Sequence, residues 1–509
     1  MEKIKYNVIQ PLLLAIILAV GMLIGYRLNE ENETTLIDKV EGQNTGKTGR
    51  VEEIMRFIES KYLYGTNTGK FIDKALNGIM DELDPYSIYV PPQRLEKVRN
   101  SLNANFVGLG ISTYFYHDTL LVFHVLKDSP AEKAGIKAFD RILQLGNTKL
   151  HGKKLTHENI AEILQKHKNQ PLDIIVQDKN GKKRALTVNV AEINIKTVVS
   201  AYKLDSNTVY MSIDKFSNHT YTEFMKKLEK YATGDKISNL IIDLRDNPGG
   251  YLQEVTKILD QLFDKSQLDF VTTVYHDGRK DKIKSSGRNF YQIDNIIVLI
   301  NGHSASGSEV LAGVVQDLDR AVVIGKPSFG KGLVQEQYKL KNGGALRLTI
   351  ANYYLPSGRS IQKKLDLDSN FVDVAPEHYE KHDTFYSLFK QRPLISGRGI
   401  YPDYFVNDTA WNNAIYYFRQ YDSIITEAIL DYLFDHKELF ETEENDFVSN
   451  YNINMEELAL LAGIDTEKKY FSTLLKAKLA YILYGDNAES KVLEKIDPYM
   501  LKAKEKLQE

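Results

Sequence analysis

The sequence predicts a multidomain α/β protein with an apolar N-terminal segment and a helical C-terminal part. Its 509 residues exceed what one hydrophobic core usually organises, so several domains are expected. Short apolar runs typical of buried strands alternate with amphipathic stretches between residues 202 and 324, a pattern typical of a sheet covered by helices. After residue 403 the apolar residues recur at helical spacing. An α/β core with additional domains on both sides is therefore expected.

The N-terminus carries an apolar run long enough to cross a bilayer. Residues 8–26 are nearly all apolar and follow Lys3 and Lys5, and a membrane-spanning helix needs about 20 such residues. Because basic flanks stay on the cytoplasmic side, we expect a single-pass anchor in the inner (cytoplasmic) membrane, with the rest of the chain facing the periplasm or the cell exterior. A cleaved signal peptide is the alternative, but the run exceeds the usual signal core of roughly 7–15 residues and no clear cleavage site follows.

Composition narrows the classes of function. The chain is 43% hydrophobic and 26% charged, with a formal net charge of −3, whereas nucleic-acid binders usually have a basic surplus. We therefore expect no nucleic-acid partner. The absence of cysteine from the sequence excludes disulfides, thiolate metal sites and a cysteine nucleophile. We expect neither a metal nor another cofactor.

Changes in pattern along the chain predict six regions. A polar stretch without periodicity follows the anchor, helical spacing begins near residue 51, and a glycine-spaced β pattern begins near residue 105. The predicted regions are an anchor at 1–28, a linker at 29–50, a helical region at 51–104, a β-rich domain at 105–190, an α/β core at 191–405 and a helical region at 406–509. The polar stretch 363–397 is expected to be a loop insertion.

A predicted strand-to-helix turn contains the first candidate catalytic residue. The apolar run 295–300 leads through small residues to Ser306, Gly307 and Glu309. Such a turn places a hydroxyl at a helix N-terminus, where free N–H groups favour negative charge. A nucleophile and an oxyanion site can share such a place. Helix capping is the simpler explanation of a serine there.

Two further segments could complete such a site. Lys331 lies between two glycines and beside apolar residues. Burial would lower the pKa of a lysine from about 10.4 toward neutrality, and a neutral amine can act as a base. Residues 243–250 end a strand in a Pro-Gly-Gly turn, whose N–H groups could face a ligand. Taken singly, the two segments are equally compatible with a surface lysine and an ordinary tight turn.

Together these segments resemble the carboxyl-terminal processing peptidases, which are serine peptidases with a Ser–Lys catalytic pair. The separation of 25 positions between Ser306 and Lys331 matches the family pattern. The matching motifs are Ser306 to Glu309, Phe329 to Gln335, Asp243 to Gly250, Leu83 to Ser87, Pro356 to Gln362 and Gly399 to Asp403. The resemblance spans roughly residues 51–403 and implies a crotonase-like α/β peptidase core.

The resemblance implies a role for each matched catalytic residue. Ser306 would attack the scissile carbonyl, and Lys331, as a neutral amine, would be the general base. Gln335 would hold the lysine in position. The oxyanion would be bound by the backbone N–H groups of Gly307 and of a glycine in the Pro-Gly-Gly turn, where Gly249 is favoured.

Neighbouring residues supply the alternatives at this site. His303 is the alternative base, since histidine is the commoner partner of a catalytic serine. Ser304 and Ser308 flank the nucleophile as alternative hydroxyls. The spacing to Lys331 selects Ser306 among the three serines.

The β-rich domain resembles a PDZ domain. Its motifs are a glycine-spaced loop and the later segments Ser129 to Ile136 and Asp140 to Leu143. PDZ domains add a peptide as an extra strand and bind its terminal carboxylate through backbone N–H groups. The residues expected to contact the peptide are Val107, Gly108, Leu109, Gly110 and Ile111. The expected partners are proteins or peptides with free C-termini and apolar last residues.

The sequence thus predicts a membrane-anchored serine endopeptidase that cleaves proteins near their C-termini in the cell envelope. A non-catalytic, PDZ-containing peptide-binding scaffold is the alternative function. A scaffold would be free to lose Ser306, Lys331 and Gln335, and all three are present. The sequence leaves open the natural substrate, and an adaptor or a homo-oligomer as further partners.

Overall fold

The computed structural model describes residues 49–64, 67–150, 156–233, 236–363, 384–450, 454–462 and 470–509. The chain divides into two compact units, residues 1–78 and residues 79–509. The apolar run 8–26 lies outside the described residues. Within the described ranges, no helix combines the length and apolar character needed to span a membrane. The anchor therefore stays a prediction.

The first unit is described from residue 49 onward, and the second contains all of the described strands. The strands are β1 (Ile88–Val90), β2 (Asn105–Gly108), β3 (Ile111–Tyr116), β4 (Thr119–Val125), β5 (Arg141–Leu145), β6 (Thr148–Lys149), β7 (Pro171–Gln177), β8 (Lys183–Asn189), β9 (Ala191–Asn194), β10 (Val198–Lys203), β11 (Thr208–Ile213), β12 (Asn239–Asp243), β13 (Ser266–Tyr275), β14 (Lys280–Ser286), β15 (Asn295–Ile300), β16 (Val322–Gly325), β17 (Leu333–Lys339), β18 (Ala345–Tyr354), β19 (Thr384–Tyr386), β20 (Pro393–Ile395) and β21 (Tyr404–Phe405). The helices are α1 (Gly49–Lys61), α2 (Thr68–Asp81), α3 (Pro92–Asn103), α4 (Pro130–Lys133), α5 (His157–Lys166), α6 (Thr220–Ala232), α7 (Leu252–Leu262), α8 (Gly307–Asp317), α9 (Thr409–Gln420), α10 (Asp422–Asp435), α11 (Glu444–Asn450), α12 (Met455–Ala462), α13 (Phe471–Tyr484), α14 (Asp486–Leu493) and α15 (Pro498–Gln508).

A six-stranded sheet forms the centre of the α/β core and positions three loops. Its spatial order is β10-β11-β12-β15-β16-β21, and all pairs from β11 to β21 are parallel. The carboxyl ends of parallel strands meet at one edge, where open α/β sheets place their ligand sites. The neighbouring strands β12, β15 and β16 therefore bring the loops 244–250, 301–306 and 326–332 to the same edge.

Helix α8 fixes the position of the middle loop. All eleven residues of this helix are buried, and its apolar side chains share one core with the central sheet and helix α7. Full burial of a large apolar side chain contributes roughly 1.5–3 kcal/mol. A helix buried on every side cannot shift without losing much of this energy, so Ser306 at its N-terminus has a fixed location.

A second, antiparallel sheet carries the segment that follows Lys331. Its order is β1-β18-β13-β14, and β17 pairs with the other edge of β18. Strand β17, which begins at Leu333, and strand β18 form a hairpin that turns around Asn342. The described part of the expected loop 363–397 contains the paired strands β19 and β20. Because each of these strands has only three residues, the alternation of apolar and polar residues is too short to predict them from the sequence.

The small β domain is built from β3 to β8 with helices α4 and α5. Its sheet has the order β3-β4-β5-β7-β8, with β6 paired to β5. Apolar side chains from the strands and from helix α5 form a separate core. Strand β3 pairs only with β4 among the described strands, so its other edge is open.

The C-terminal helices α9 to α15 pack against both neighbouring parts of the second unit. Their core includes Tyr116, Leu121 and Phe123 of the small β domain, and Tyr116 donates a hydrogen bond to Asp431 Oδ1 at 2.5 Å. Helix α14 reaches the central sheet, where Asn487 Oδ1 accepts from the Ala201 N–H at 2.8 Å. The helical spacing after residue 403 predicts these helices but not what they contact.

Candidate active site

Ser306 lies at the N-terminus of helix α8 in a strained backbone conformation. Its φ is +54° and its ψ is −112°, a region that non-glycine residues rarely adopt. The Pro-Gly-Gly turn approaches it closely, because a Cβ on Gly249 would lie 2.9 Å from Ser306 Cβ and 2.7 Å from the Gly307 nitrogen. Gly249 has a φ of +97°, so glycine is needed there for both conformation and space.

The two flanking serines differ from Ser306 in exposure and bonding. Ser304 and Ser308 are fully buried, whereas Ser306 is partly exposed. The Ser304 hydroxyl donates to the Leu244 carbonyl at 2.7 Å, and the Ser308 hydroxyl donates to the Asn247 carbonyl at 2.9 Å. Both flanking hydroxyls thus tie the helix N-terminus to the Pro-Gly-Gly loop. Of these three serines, only Ser306 is accessible to a substrate.

The Glu309 carboxylate connects the serine loop to the lysine loop. Glu309 is fully buried, and its Oε2 accepts from the Ser306 and Lys331 N–H groups, both at 2.8 Å. Its Oε1 accepts from the Gly330 N–H at 2.6 Å and from the Ser328 hydroxyl at 2.5 Å. Burial raises the pKa of the Glu309 carboxyl, while these four hydrogen bonds oppose the rise. One carboxylate therefore sets the separation of the two loops.

Gln335 binds the Lys331 amine, the contact that the family resemblance implies. Lys331 Nζ donates to Gln335 Oε1 at 2.8 Å, and Gln335 Nε2 donates to the carbonyl of Tyr86. Because Tyr86 fixes the amide nitrogen, the oxygen of the carboxamide must face the lysine. Among the described residues, no carboxylate lies within ion-pair distance of Nζ, and no hydrogen bond joins Nζ to Ser306 Oγ.

Tyr86 is a site residue whose role sequence reasoning missed. Lys331 Nζ lies 4.5 Å from the centre of its ring. The preceding Asp84 orders this loop by accepting the Tyr86 N–H at 2.9 Å and the Ser87 hydroxyl at 2.7 Å. Thr349 of β18 also donates to Asp84 Oδ1, at 3.1 Å. The match at Leu83 to Ser87 marked this segment without indicating that it faces the lysine.

The surroundings of Lys331 favour its neutral form. Burial lowers the pKa of the Lys331 amine below its ordinary value, and the positive charge of Arg347 lowers it further, whereas Asp84 and Glu309 act in the opposite direction. Burial also raises the pKa of the Tyr86 hydroxyl to about 12. The Lys331 amine therefore gives up its proton more readily than the amine of an exposed lysine, whereas the Tyr86 hydroxyl holds its proton more firmly.

His303 lies in a different environment. Its side chain is 80% exposed, and its Nδ1 is 2.8 Å from Asp246 Oδ1. Asn301 Nδ2 donates to the same oxygen at 3.0 Å. Burial alone would raise the pKa of the Asp246 carboxyl, but the hydrogen bonds from Asn301 and His303 lower it overall. The histidine thus forms a solvent-facing pair on the outer side of the loop.

The Pro-Gly-Gly turn offers a different N–H group from the one expected. The Gly249 N–H already donates to Asn247 Oδ1 at 2.8 Å. Within the described part of the chain, the N–H groups of Gly250 and Gly307 have no protein acceptor. The Gly250 nitrogen lies 3.5 Å from where a Cβ on Gly307 would be, so the two groups are close neighbours.

The predicted peptide-binding loop precedes the open edge of β3. Val107 and Leu109 are buried, Gly108 ends β2, and Ile111 begins β3. Gly110 has a φ of +80°, and a Cβ there would meet Ser129 at 2.4 Å. The N–H groups of Leu109 and Gly110 have no protein acceptor among the described residues. The start of helix α5 lies beside β3, with the His157 and Phe115 rings 4.9 Å apart.

Comparisons of the sequence with known proteins identify one family. The model of peptidase family S41 matches residues 207–372. A carboxy-terminal-processing protease of Bartonella bacilliformis is 32% identical over 368 residues, which cover 70% of this chain and 82% of that protein. The carboxy-terminal processing protease CtpB of Bacillus subtilis is 32% identical over 62% of this chain and 65% of that protein. The solved photosystem II D1 C-terminal processing protease aligns with a TM-score of 0.36 and 21% identity, over 70% of this chain and 87% of that chain.

Proposed function

Because the chain belongs to the carboxy-terminal processing proteases, serine peptidases of family S41, we propose that Ser306 is its nucleophile and Lys331 its general base. The observation that carries this proposal is the environment of the lysine. Its amine is partly buried, bound by the carboxamide of Gln335, and has a pKa lowered by burial. A carboxamide oxygen orients an amine without adding the negative charge that would keep it protonated.

The first chemical step follows from this arrangement. Ser306 Oγ attacks the scissile carbonyl carbon while its proton passes to the lone pair of Lys331 Nζ. The resulting oxyanion is stabilised by backbone N–H groups. We assign these donors to Gly307 and Gly250, since the Gly249 N–H is already bonded to Asn247.

The second step releases the C-terminal fragment. The Lys331 ammonium donates its proton to the leaving amine nitrogen as the C–N bond breaks, which leaves an acyl group on Ser306. Lys331 then accepts a proton from water while the water oxygen attacks the acyl carbon, and it returns that proton to Ser306 Oγ as the acyl–oxygen bond breaks, which frees the new carboxyl terminus. The lysine alternates between base and acid, so its pKa must lie close enough to the working pH for both roles.

Comparison of three serine variants tests the nucleophile. The full-length chain in mild detergent is incubated with an unstructured protein that ends in apolar residues. Ser306→Ala should lower kcat on the order of 10³-fold or more. Ser308→Ala should lose one buried hydrogen bond, about 0.5–1.5 kcal/mol of stability, and retain most activity; Ser304→Ala is a second control. Full cleavage by Ser306→Ala would refute the assignment.

We further propose that the small β domain is a PDZ domain that recognises the substrate C-terminus. The free N–H groups of Leu109 and Gly110 beside the open edge of β3 support carboxylate capture with strand addition. Amidation of the substrate C-terminus removes the charge without changing the cleaved bond. It should lower kcat/KM on the order of 10- to 100-fold, since hydrogen bonds to a charged group are worth about 1.5–3 kcal/mol. Equal cleavage of both substrates would contradict tail recognition.

The cellular place of the enzyme is also a proposal. The apolar run 8–26 behind two lysines supports an inner-membrane anchor with the catalytic part outside the cytoplasm. The enzyme should therefore act on proteins of the cell envelope. Protease added to intact spheroplasts should degrade the catalytic part, and its full protection would contradict this topology.

A further inference from the structure

A buried polar cluster links the last helix to the loop that carries the Pro-Gly-Gly turn. Arg245 Nη2 donates to Asp243 Oδ2 at 2.6 Å and lies 2.8 Å from Asp497 Oδ2. The guanidinium also stacks on the ring of Tyr499, 4.6 Å from its centre. Asp243 and Asp497 are almost completely buried. Arg245 is thus held between its own strand and the N-terminus of helix α15.

The same helix reaches the loop that carries Lys331. The Tyr499 hydroxyl donates to Asp408 Oδ2 at 2.6 Å, and Asp408 forms an ion pair with Lys326. Asp408 is buried, and Lys326 directly follows β16, five positions before Lys331. Asp497 and Tyr499 therefore contact, directly or through Asp408, both loops that flank Ser306.

We propose that Asp497 and Tyr499 are positioning residues for catalysis. Through them, helix α15 holds the Pro-Gly-Gly turn and the loop that carries Lys331 at a fixed separation. The inference rests on the proposed roles of Ser306 and Lys331. Arg245 lies four residues before Gly249, so its anchorage sets where the turn begins. The helix bears on two loops that must keep a fixed separation for the oxyanion donors and the base to act on the same carbonyl.

These contacts extend beyond the part of the chain that matches the family model. Arg245 and Lys326 lie within residues 207–372, whereas Asp408, Asp497 and Tyr499 lie outside that range. On this proposal the C-terminal helices contribute to the geometry of the site through their contacts with Arg245 and Lys326. A purely structural role would instead lower the stability of the fold without changing the turnover of folded molecules.

The test removes one anchor and preserves the helix cap. Asp497 Oδ1 accepts the Tyr499 N–H at 2.9 Å, and serine is an equally good cap, so Asp497→Ser removes mainly the Arg245 contact. The matched control is Asp422→Ser, which removes an ion pair with Lys478 at 2.8 Å between helices α10 and α13. For both full-length variants, kcat and KM are measured on the apolar-tailed protein, and kcat is divided by the folded fraction from circular dichroism.

Asp497→Ser should lower kcat per folded molecule about tenfold with KM changed less than about twofold, since a misplacement of about 1 Å can cost on the order of 100-fold. Asp422→Ser should retain its kcat. If Asp497→Ser has the kcat of the control, the proposal is overturned. If Asp497→Ser does not fold, Tyr499→Phe becomes the test. It should lower kcat about threefold or more, as expected for a partial misplacement of the loops. An unchanged kcat in Tyr499→Phe would overturn the proposal. Activity in Ser306→Ala would instead overturn the proposed function.

Discussion

Lys331 and His303 both lie near Ser306 in the fold, and their surroundings are opposite. The lysine is partly buried, is bound by a neutral carboxamide, and has its pKa lowered by burial and by Arg347. The histidine is 80% exposed and is paired with the carboxylate of Asp246. Histidine has an unperturbed pKa closer to neutral than lysine has, but the His303 ring faces solvent and is already hydrogen-bonded to Asp246. If Lys331 is the base, as we propose, its environment rather than its residue type makes it one.

Removing each candidate base in turn gives the largest expected difference. Lys331→Ala should lower kcat/KM on the order of 10³-fold, because a positioned general base contributes about 10²–10⁴-fold. His303→Ala should change kcat/KM less than about threefold, since a surface pair contributes about 0–1 kcal/mol. Steady-state cleavage of the apolar-tailed protein measures both. The reverse ranking would make the histidine the base.

Replacing the Glu309 carboxylate, which connects the serine loop to the lysine loop, should have the next largest effect. Glu309→Gln replaces one of two accepting oxygens with an NH₂ group that faces N–H donors. Each buried donor left unsatisfied costs about 1–3 kcal/mol, so we expect a lower free energy of unfolding and a loss of kcat on the order of 100-fold. Urea unfolding and turnover measure the two effects.

The control for this carboxylate is Glu229→Gln on the exposed side of helix α6. It removes the same charge without buried donors, and surface changes usually stay within about 0.5 kcal/mol. If Glu309→Gln were as stable and active as this control, Glu309 would not be the connection between the two loops.

Adding a charge next to the lysine should shift the pH dependence. In Gln335→Glu a carboxylate would contact Nζ, favour the ammonium form and raise the Lys331 pKa by about 1–3 units. Less neutral amine would remain at neutral pH, so activity there should fall on the order of 10- to 100-fold and recover as the pH rises. Gln253→Glu on the exposed face of helix α7 is the control. An unchanged pH profile in Gln335→Glu would argue against a lysine base.

Removing a neighbouring positive charge should have the smallest effect, in the same direction. Arg347 lowers the Lys331 pKa, so Arg347→Gln should move the acidic limb of kcat/KM to higher pH by less than about one unit. Arg279→Gln, at an exposed arginine paired with Asp281, should leave the limb in place. If Arg347→Gln moved the acidic limb of kcat/KM to lower pH, Arg347 would not be lowering the pKa of the catalytic base.

The sequence was sufficient to predict the elements whose signals are local. The apolar runs of β12, β15 and β16 identify buried strands, and the glycine turn and Ser306 follow directly from their ends. The spacing between Ser306 and Lys331 selects the pair through the family resemblance. Glu309 could also have been found locally, because a Ser followed three residues later by Glu is a capping pattern.

Long-range contacts account for what the sequence could not predict. The ring of Tyr86 lies against Lys331, and its carbonyl accepts a hydrogen bond from Gln335. Both contacts come from a distant part of the chain, and no sequence pattern indicates which side chains a backbone carbonyl meets. The sequence does not distinguish Gly249 from Gly250 as an oxyanion donor, because the hydrogen bond from the Gly249 N–H to the Asn247 side chain leaves no mark on the spacing. The link from Asp497 to Arg245 depends on tertiary packing of the last helix.

The most direct test of the central claim is the pH dependence of kcat/KM in the unmodified protein and in His303→Ala. A neutral lysine as base predicts that activity rises with pH along one acidic limb, because deprotonation of the Lys331 ammonium creates the base. That limb should lie below the ordinary lysine pKa of about 10.4 and should be the same in both proteins. A limb that disappears in His303→Ala would contradict the claim and assign proton transfer to the histidine.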